Sequence, residues 1–204
     1  MTGTRVMGGP AGVWLRLRQL AAALAERLGS GQLPADRAAR NKARDEQLAQ
    51  RILDTYGNSI LRLAYAYLHN PSDAEEVLQD TVMQRLTKAP DFAGEAHEKA
   101  WLLRVAANLS KNRILYNRRH SADALDESLR AEGREDLSFV WEAVRELPVA
   151  QREAVHLFYC EGYATGEIAE ILGRKEPPIR SDLHRARLRL REILREGYDF
   201  GEGL

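Results

Sequence analysis

The chain has 204 residues, 44% of them hydrophobic, which is enough for one or two small cores rather than one large one. Its 30 Lys and Arg balance 30 Asp and Glu, so tight binding to arbitrary DNA by bulk electrostatics is excluded, and any nucleic-acid contact has to be local or assisted by a partner. No stretch approaches the roughly 18 apolar residues that span a bilayer, the run over 13 to 28 is interrupted by Arg16, Arg18 and Glu26 and lacks the apolar core of a secretory signal, and a single cysteine excludes an intrachain disulfide; a reducing, cytoplasmic location is expected.

Residues 1 to 10 are rich in Gly and Thr and predict no regular element. An amphipathic helix is expected over 13 to 28, with Trp14, Leu17, Leu20, Leu24 and Leu28 on one face, broken by Gly29, Ser30, Gly31 and Pro34. A long helix follows over 41 to 68, with Ile52, Leu53, Tyr56, Ile60, Leu63, Ala64 and Tyr67 as its buried stripe; His69, Asn70 and Pro71 end it. Ser72 with Glu75 forms a capping-box signature for a helix to about residue 88. That helix turns Ala74, Val77, Leu78, Thr81 and Val82 inward and leaves Glu75, Glu76, Gln79, Asp80 and Met83 outward. Asp73, Glu75 and Glu76 also suit its N-terminal dipole.

Residues 89 to 98 read as a loop whose only large apolar residue is Phe92. A helix resumes at Lys99 with Trp101, Leu102, Val105, Leu109 and Ile114 apolar. Between Lys99 and Ala122 there is no acid, while Lys99, Arg104, Lys111, Arg113, Arg118 and Arg119 are basic, a one-sided block that points to an anionic partner. Asn108 and Asn112 fit either a buried amide pair or base-reading amides.

Residues 121 to 136 are polar, mixed in charge and read as a linker. Short helices are expected over 140 to 146, stopped by Pro148, and over 150 to 161, with His156 and Cys160 four apart and Cys160 expected as a buried structural thiol. Residues 161 to 194 then read as two helices joined at Gly173. Ile168, Ala169, Ile171 and Leu172 face inward on the first; Ile179, Leu183, Ala186, Leu190 and Ile193 do so on the second. Arg180, Ser181, His184, Arg185 and Arg187 remain on the exposed side, as in a helix-turn-helix whose second helix enters the major groove. The same pattern is open to a plain surface hairpin with solvated arginines. With no strand-like alternation, the fold class is all-α: two small helical domains joined by a flexible linker, the C-terminal one a helix-turn-helix. No Gly-rich phosphate loop, metal-ligand cluster or paired nucleophile appears, so no enzyme, cofactor or metal is expected.

Asp-Ala-Glu-Glu-Val-Leu-Gln-Asp at 73 to 80, Ala-Trp-Leu-Leu-Arg-Val-Ala-Ala-Asn at 100 to 108, Leu-Pro at 147 to 148, Glu-Ile-Ala-Glu at 167 to 170 and Arg-Ala-Arg at 185 to 187 resemble bacterial RNA polymerase sigma factors of the sigma-70 family. The order and spacing are similar to the minimal extracytoplasmic-function (ECF) type. The resemblance implies an extension over residues 1–40, a region 2-like domain over 41–119, a linker over 120–137, a region 4-like domain over 138–196 and a tail over 197–204. It implies core RNA polymerase, with its β and β′ subunits, as the partner, and that Glu76, Gln79, Asp80 and Met83 meet the clamp helices of β′. Phe92, Arg104, Asn108, Lys111, Asn112, Arg118 and Arg119 would then hold the melted minus-10 strand of promoter DNA. Arg180, Ser181, His184 and Arg185 would read the minus-35 major groove, with Arg187 nearer the phosphates. An anti-sigma factor is a further partner class in this family, and no membrane insertion is implied.

Pro177, Pro178 and Ile179 stand where the family commonly has Gly, Thr and Val, which puts proline at the first helical position, and Asn112 replaces a usual Asp. Asp182 stands where a basic residue is usual and is expected to face the DNA, repelling phosphate or accepting from a cytosine amine. Two alternatives use the same residues. One is a stand-alone helix-turn-helix regulator, which predicts a dimer on a palindromic site; the other is a degenerate sigma-like interaction protein that does not read DNA.

Overall fold

The computed structural model describes residues 35–88, 90–120 and 138–197. The helix expected over 13 to 28 and the linker over 121 to 136 lie outside them. Every regular element among the described residues is helical: α1 (Ala35–Leu68), α2 (Pro71–Lys88), α3 (Glu95–His120), α4 (Ser138–Arg145), α5 (Val149–Val155), continued by a π-helical turn (His156–Cys160), α6 (Thr165–Leu172) and α7 (Glu176–Gly197).

Helix α1 begins six residues earlier than the apolar periodicity suggests, because Ala35, Ala38 and Ala39 favour helix without contributing large side chains to a stripe. Its expected stripe is buried throughout, from Ile52 to Tyr67. The helix ends at His69, whose backbone takes the left-handed conformation (φ 53°) while its N–H donates to the Tyr65 carbonyl. The next helix is capped by Asn70, whose side-chain oxygen accepts from the Asp73 N–H at 3.1 Å. Ser72 lies inside the first turn, so the expected Ser72/Glu75 capping box does not form: Pro71 already has the φ of a helical residue and moves the start upstream. Ala74, Val77, Leu78, Thr81 and Val82 are buried as expected, and the Thr81 hydroxyl donates to the Val77 carbonyl.

Helix α3 starts at Glu95, four residues before the expected Lys99. Glu98 explains the difference: it is 5% exposed and accepts from Arg51 of α1 and from Arg85 of α2, which fixes the first turn of α3 to both neighbours. Leu102, Leu103, Ala106 and Ala107 then pack against α1 and α2 to close a three-helix unit.

In the second unit α7 packs against α4, α5 and α6. The His156 carbonyl accepts from the N–H of Glu161, five residues on, so the end of α5 is widened by one residue per turn. Cys160 is thereby rotated outward and is exposed, against the expectation of a buried thiol. The two units share one continuous apolar core, in which Leu147, Leu157 and Ile168 join the α1 to α3 cluster. Each fully buried Leu or Ile there contributes roughly 1.5–3 kcal/mol by leaving water.

Candidate nucleic-acid interface

Gly173 closes α6 in the left-handed conformation (φ 63°, ψ 35°), and the N–H of Arg174 donates to the Ala169 carbonyl, a glycine-terminated helix end. Thr165 at the start of α6 donates its hydroxyl to Glu176 at the start of α7 (2.6 Å), tying the two N-termini together. Helix α7 starts at Glu176, so Pro177 and Pro178 occupy its second and third positions. Their missing N–H groups cost no intrahelical bond there, because the first-turn donors have no partner in any α-helix.

Ile179, Leu183 and Ala186 are buried, while Arg180, Ser181, His184, Arg185 and Arg187 are exposed. These five do not have equal freedom. Arg180 pairs with Glu176 at 3.5 Å, and Arg187 donates to the Tyr159 hydroxyl at 2.9 Å with its guanidinium over the Phe158 ring. Arg185 donates to Asp182 at 2.7 Å. Asp182 itself does not face outward as expected. It is 4% exposed, on the buried side of α7, because Arg174 and Arg185 together neutralise and hydrogen-bond its carboxylate.

The residues expected at a melted strand divide into three places. Phe92 sits in an aromatic group with His97 and Trp101, and the Arg85 guanidinium covers one face of its ring at 4.8 Å. Arg104 and Lys111 turn toward the second unit. Arg104 donates to the Glu170 and Ile171 carbonyls at the end of α6, and Lys111 pairs with Glu153 of α5 at 2.9 Å. Asn112 and Arg119 line a groove of about 540 Å³ between α2 and α3, together with Glu76 and Asp80. Asn108, Asn112, Arg118 and Arg119 are all exposed, which removes the buried-amide option for the two asparagines.

On α2, Glu76 is exposed and pairs with Arg113, which also donates to Asp73 at 2.9 Å. Asp80 is exposed at the rim of the groove, and partial desolvation there, with Glu76 beside it, raises its carboxyl above the ordinary value. Gln79 and Met83 are half-buried.

Between the units lies a set of buried charges. Arg152 donates to the Ala66 and Tyr67 carbonyls at the end of α1 and to the Leu147 carbonyl, and its guanidinium lies against His69. Burial, then the charges of Arg152 and Arg145, lower His69 to about 4. Glu153 accepts from Tyr67, Lys111 and Arg174. Burial alone would raise the Glu161 carboxyl, but His156 at 3.7 Å, Lys99 at 2.8 Å and the nearby Ser59 hold it at about 2.

Known proteins match this architecture in both halves. The family description "Sigma-70 region 2" covers residues 52–120 and "Sigma-70, region 4" covers residues 140–190. A probable RNA polymerase sigma-C factor of Mycobacterium bovis is 30% identical over 130 residues, 60% of this chain and 70% of that relative. The chain belongs to the sigma-70 family, in its ECF group. The ECF RNA polymerase sigma factor SigM of Mycobacterium tuberculosis is similarly related, 28% identical over 156 residues, spanning 74% of this chain and 80% of SigM. Among solved structures, the sigma factor RpoE of Bartonella quintana, crystallised in complex with the anti-sigma factor NepR, superposes with a TM-score of 0.60 at 25% identity. The match covers 72% of this chain and 96% of RpoE.

In this sigma factor the five outward residues of α7 share one helix face, whereas the seven expected at the melted strand are not gathered into one patch. Missed from the sequence were Glu98, Arg152, Glu153, Glu161, Arg174 and the inward role of Asp182. The available signal was slight: an acid at an otherwise apolar position of the helical period, as Asp182 is between Ile179 and Ala186.

Proposed function

We propose that the chain is a sigma factor that associates with core RNA polymerase, recognises minus-10 and minus-35 promoter elements and promotes transcription initiation, with no reaction of its own. The observation that carries this reading is the helix-turn-helix of α6, Gly173 and α7, with its exposed Arg180, Ser181, His184 and Arg185, on the same chain as a region 2 unit. Those four residues would contact bases and phosphates of the minus-35 groove, with Arg187 toward the phosphates. On α2, Glu76, Gln79, Asp80 and Met83 would meet the polymerase, while α3 and the Phe92 loop would hold single-stranded minus-10 DNA by stacking and by a positive groove.

Because Arg104 and Lys111 are engaged with α6 and α5, their use on DNA requires the two helical units to part. The balanced net charge supports a factor whose promoter affinity comes through the polymerase. An anti-sigma factor is a second partner this reading admits, and the cytoplasm, where the polymerase is, is the location that follows. No helix among the described residues is long and apolar enough to cross a membrane. The test is addition of the purified protein to core polymerase, followed by initiation on a promoter library. The proposal expects core binding and selective initiation; absence of core binding overturns it.

A further inference from the structure

Asp182 is an acid in the middle of a basic DNA-facing helix, yet it is 4% exposed. A carboxylate is held at such a position only when its oxygens are fully engaged. One oxygen accepts from Arg185 at 2.7 Å, three residues along the same helix, and the other accepts from Arg174. Arg174 is in turn anchored on Glu153 at 3.0 Å. Asp182 is thus fixed from behind and holds Arg185 from the side, while the Arg185 side chain stays 57% exposed next to Ser181 and His184.

We propose that Asp182 is a positioning residue that sets the base preference of Arg185 without touching DNA; this rests on the reading of α7 as the minus-35 helix. An arginine carries five N–H donors in a planar fork. With one donor held by a fixed carboxylate, the plane of the fork is set before DNA arrives, and fewer rotamers are lost on binding. A fork held in this way can present two donors to the N7 and O6 of a guanine, a pairing that discriminates between bases. Without the carboxylate, the same guanidinium reaches a phosphate or several base edges about equally well. Discrimination then falls more than affinity. The acid on this helix is explained as well, since it faces a guanidinium pair rather than the phosphates.

The experiment uses the full chain on core polymerase and reads initiation from a library randomised over both promoter elements. Arg185→Ala is expected to flatten the preference at one minus-35 position by about tenfold, the size of one good bidentate contact. Asp182→Ala is expected to flatten that same position by about threefold to tenfold, with the minus-10 preference and core affinity unchanged. It should add nothing in the Arg185→Ala background. Arg174→Ala removes the tie that fixes Asp182 from behind but leaves the Arg185 pair in place, so it is expected to lower the melting temperature and to flatten that position by less than Asp182→Ala does. Should Asp182→Ala fail to melt cooperatively, Asp182→Asn is read instead; its uncharged amide should flatten the position by about threefold.

Wild-type preference in the Asp182 variant overturns the proposal, and so does an equal flattening caused by Arg174→Ala, which would mean Asp182 acts through the fold alone. No change in any minus-35 preference on Arg185→Ala overturns instead the underlying reading of Arg185, and the proposal with it.

Discussion

Replacing Glu153 by Gln perturbs the junction between the two helical units at its most connected point. The Glu153 side chain is 2% exposed and accepts from Tyr67 of α1, Lys111 of α3 and Arg174, the first and second of these lying in the other unit. Hydrogen bonds to charged groups contribute about 1.5–3 kcal/mol each in net terms. The Lys111 side chain is 34% exposed, so solvent screening brings its share down to about 1 kcal/mol. Glutamine keeps one acceptor and Arg174 keeps Asp182, which leaves a net loss of about 2 kcal/mol rather than the sum of three bonds. For a chain of this size that corresponds to a fall in melting temperature of about 4–8 °C. The assay is thermal unfolding of Glu153→Gln, Lys111→Ala and the double variant by circular dichroism. The two changes should be non-additive by about 0.5–1 kcal/mol, because they remove one shared contact. A Glu153→Gln protein that melts within about 1 °C of wild type refutes the reasoning, as does full additivity of the two changes.

His69 is held near pKa 4 against an ordinary 6.5, so the unfolded chain binds the proton more readily between those values and stability falls as the pH falls through that window. The groups facing it are Arg152, Arg145 and the Tyr65 ring. About half of the full linkage remains after screening, so wild type should lose about 1–2 kcal/mol from His69 between pH 6.5 and 4. His69→Gln should flatten melting temperature against pH between 7 and 5; an unchanged slope rejects the assignment. Gly173→Ala meets no neighbouring atom within 4 Å, so its cost comes from the left-handed backbone alone, about 1 kcal/mol, with Gly173→Asn costing less in the same melting assay. Arg118→Ala combined with Arg119→Ala should reduce open-complex formation more than core binding, and equal loss of both would make those arginines structural.

The periodicity of α1, α2 and α7 was readable because each buries a mainly apolar stripe, with Thr81 in α2 and Asp182 in α7 as the polar members, and Ile52 to Tyr67, Ala74 to Val82 and Ile179 to Ala186 all lie where the 3.6-residue repeat puts them. Gly173 was readable for a related reason: a left-handed helix end selects glycine. The buried acids were not. Glu98, Glu153 and Asp182 have the composition of a solvated face, and their partners lie as far away in sequence as the 86 residues between Tyr67 and Glu153. No helical period connects Glu153 to Tyr67 or Glu98 to Arg51 and Arg85; only the packing of one helix on another does. Cys160 was misplaced because the π-helical turn adds a residue that no apolar pattern records. For the interface, the exposed face of α7 could be laid out from the sequence. The engagement of Arg104 and Lys111 by the second unit could not, because the carbonyls of Glu170 and Ile171 become acceptors only once α6 ends beside α3.

The most direct measurement is promoter-dependent initiation by core polymerase with and without the purified chain, on templates carrying a selected minus-10 and minus-35 pair or either element scrambled. A sigma factor that uses both α3 and α7 is expected to bind core and to initiate only on the intact pair, with loss on scrambling either element. Binding to core with no initiation on any template, or initiation indifferent to both elements, contradicts the account.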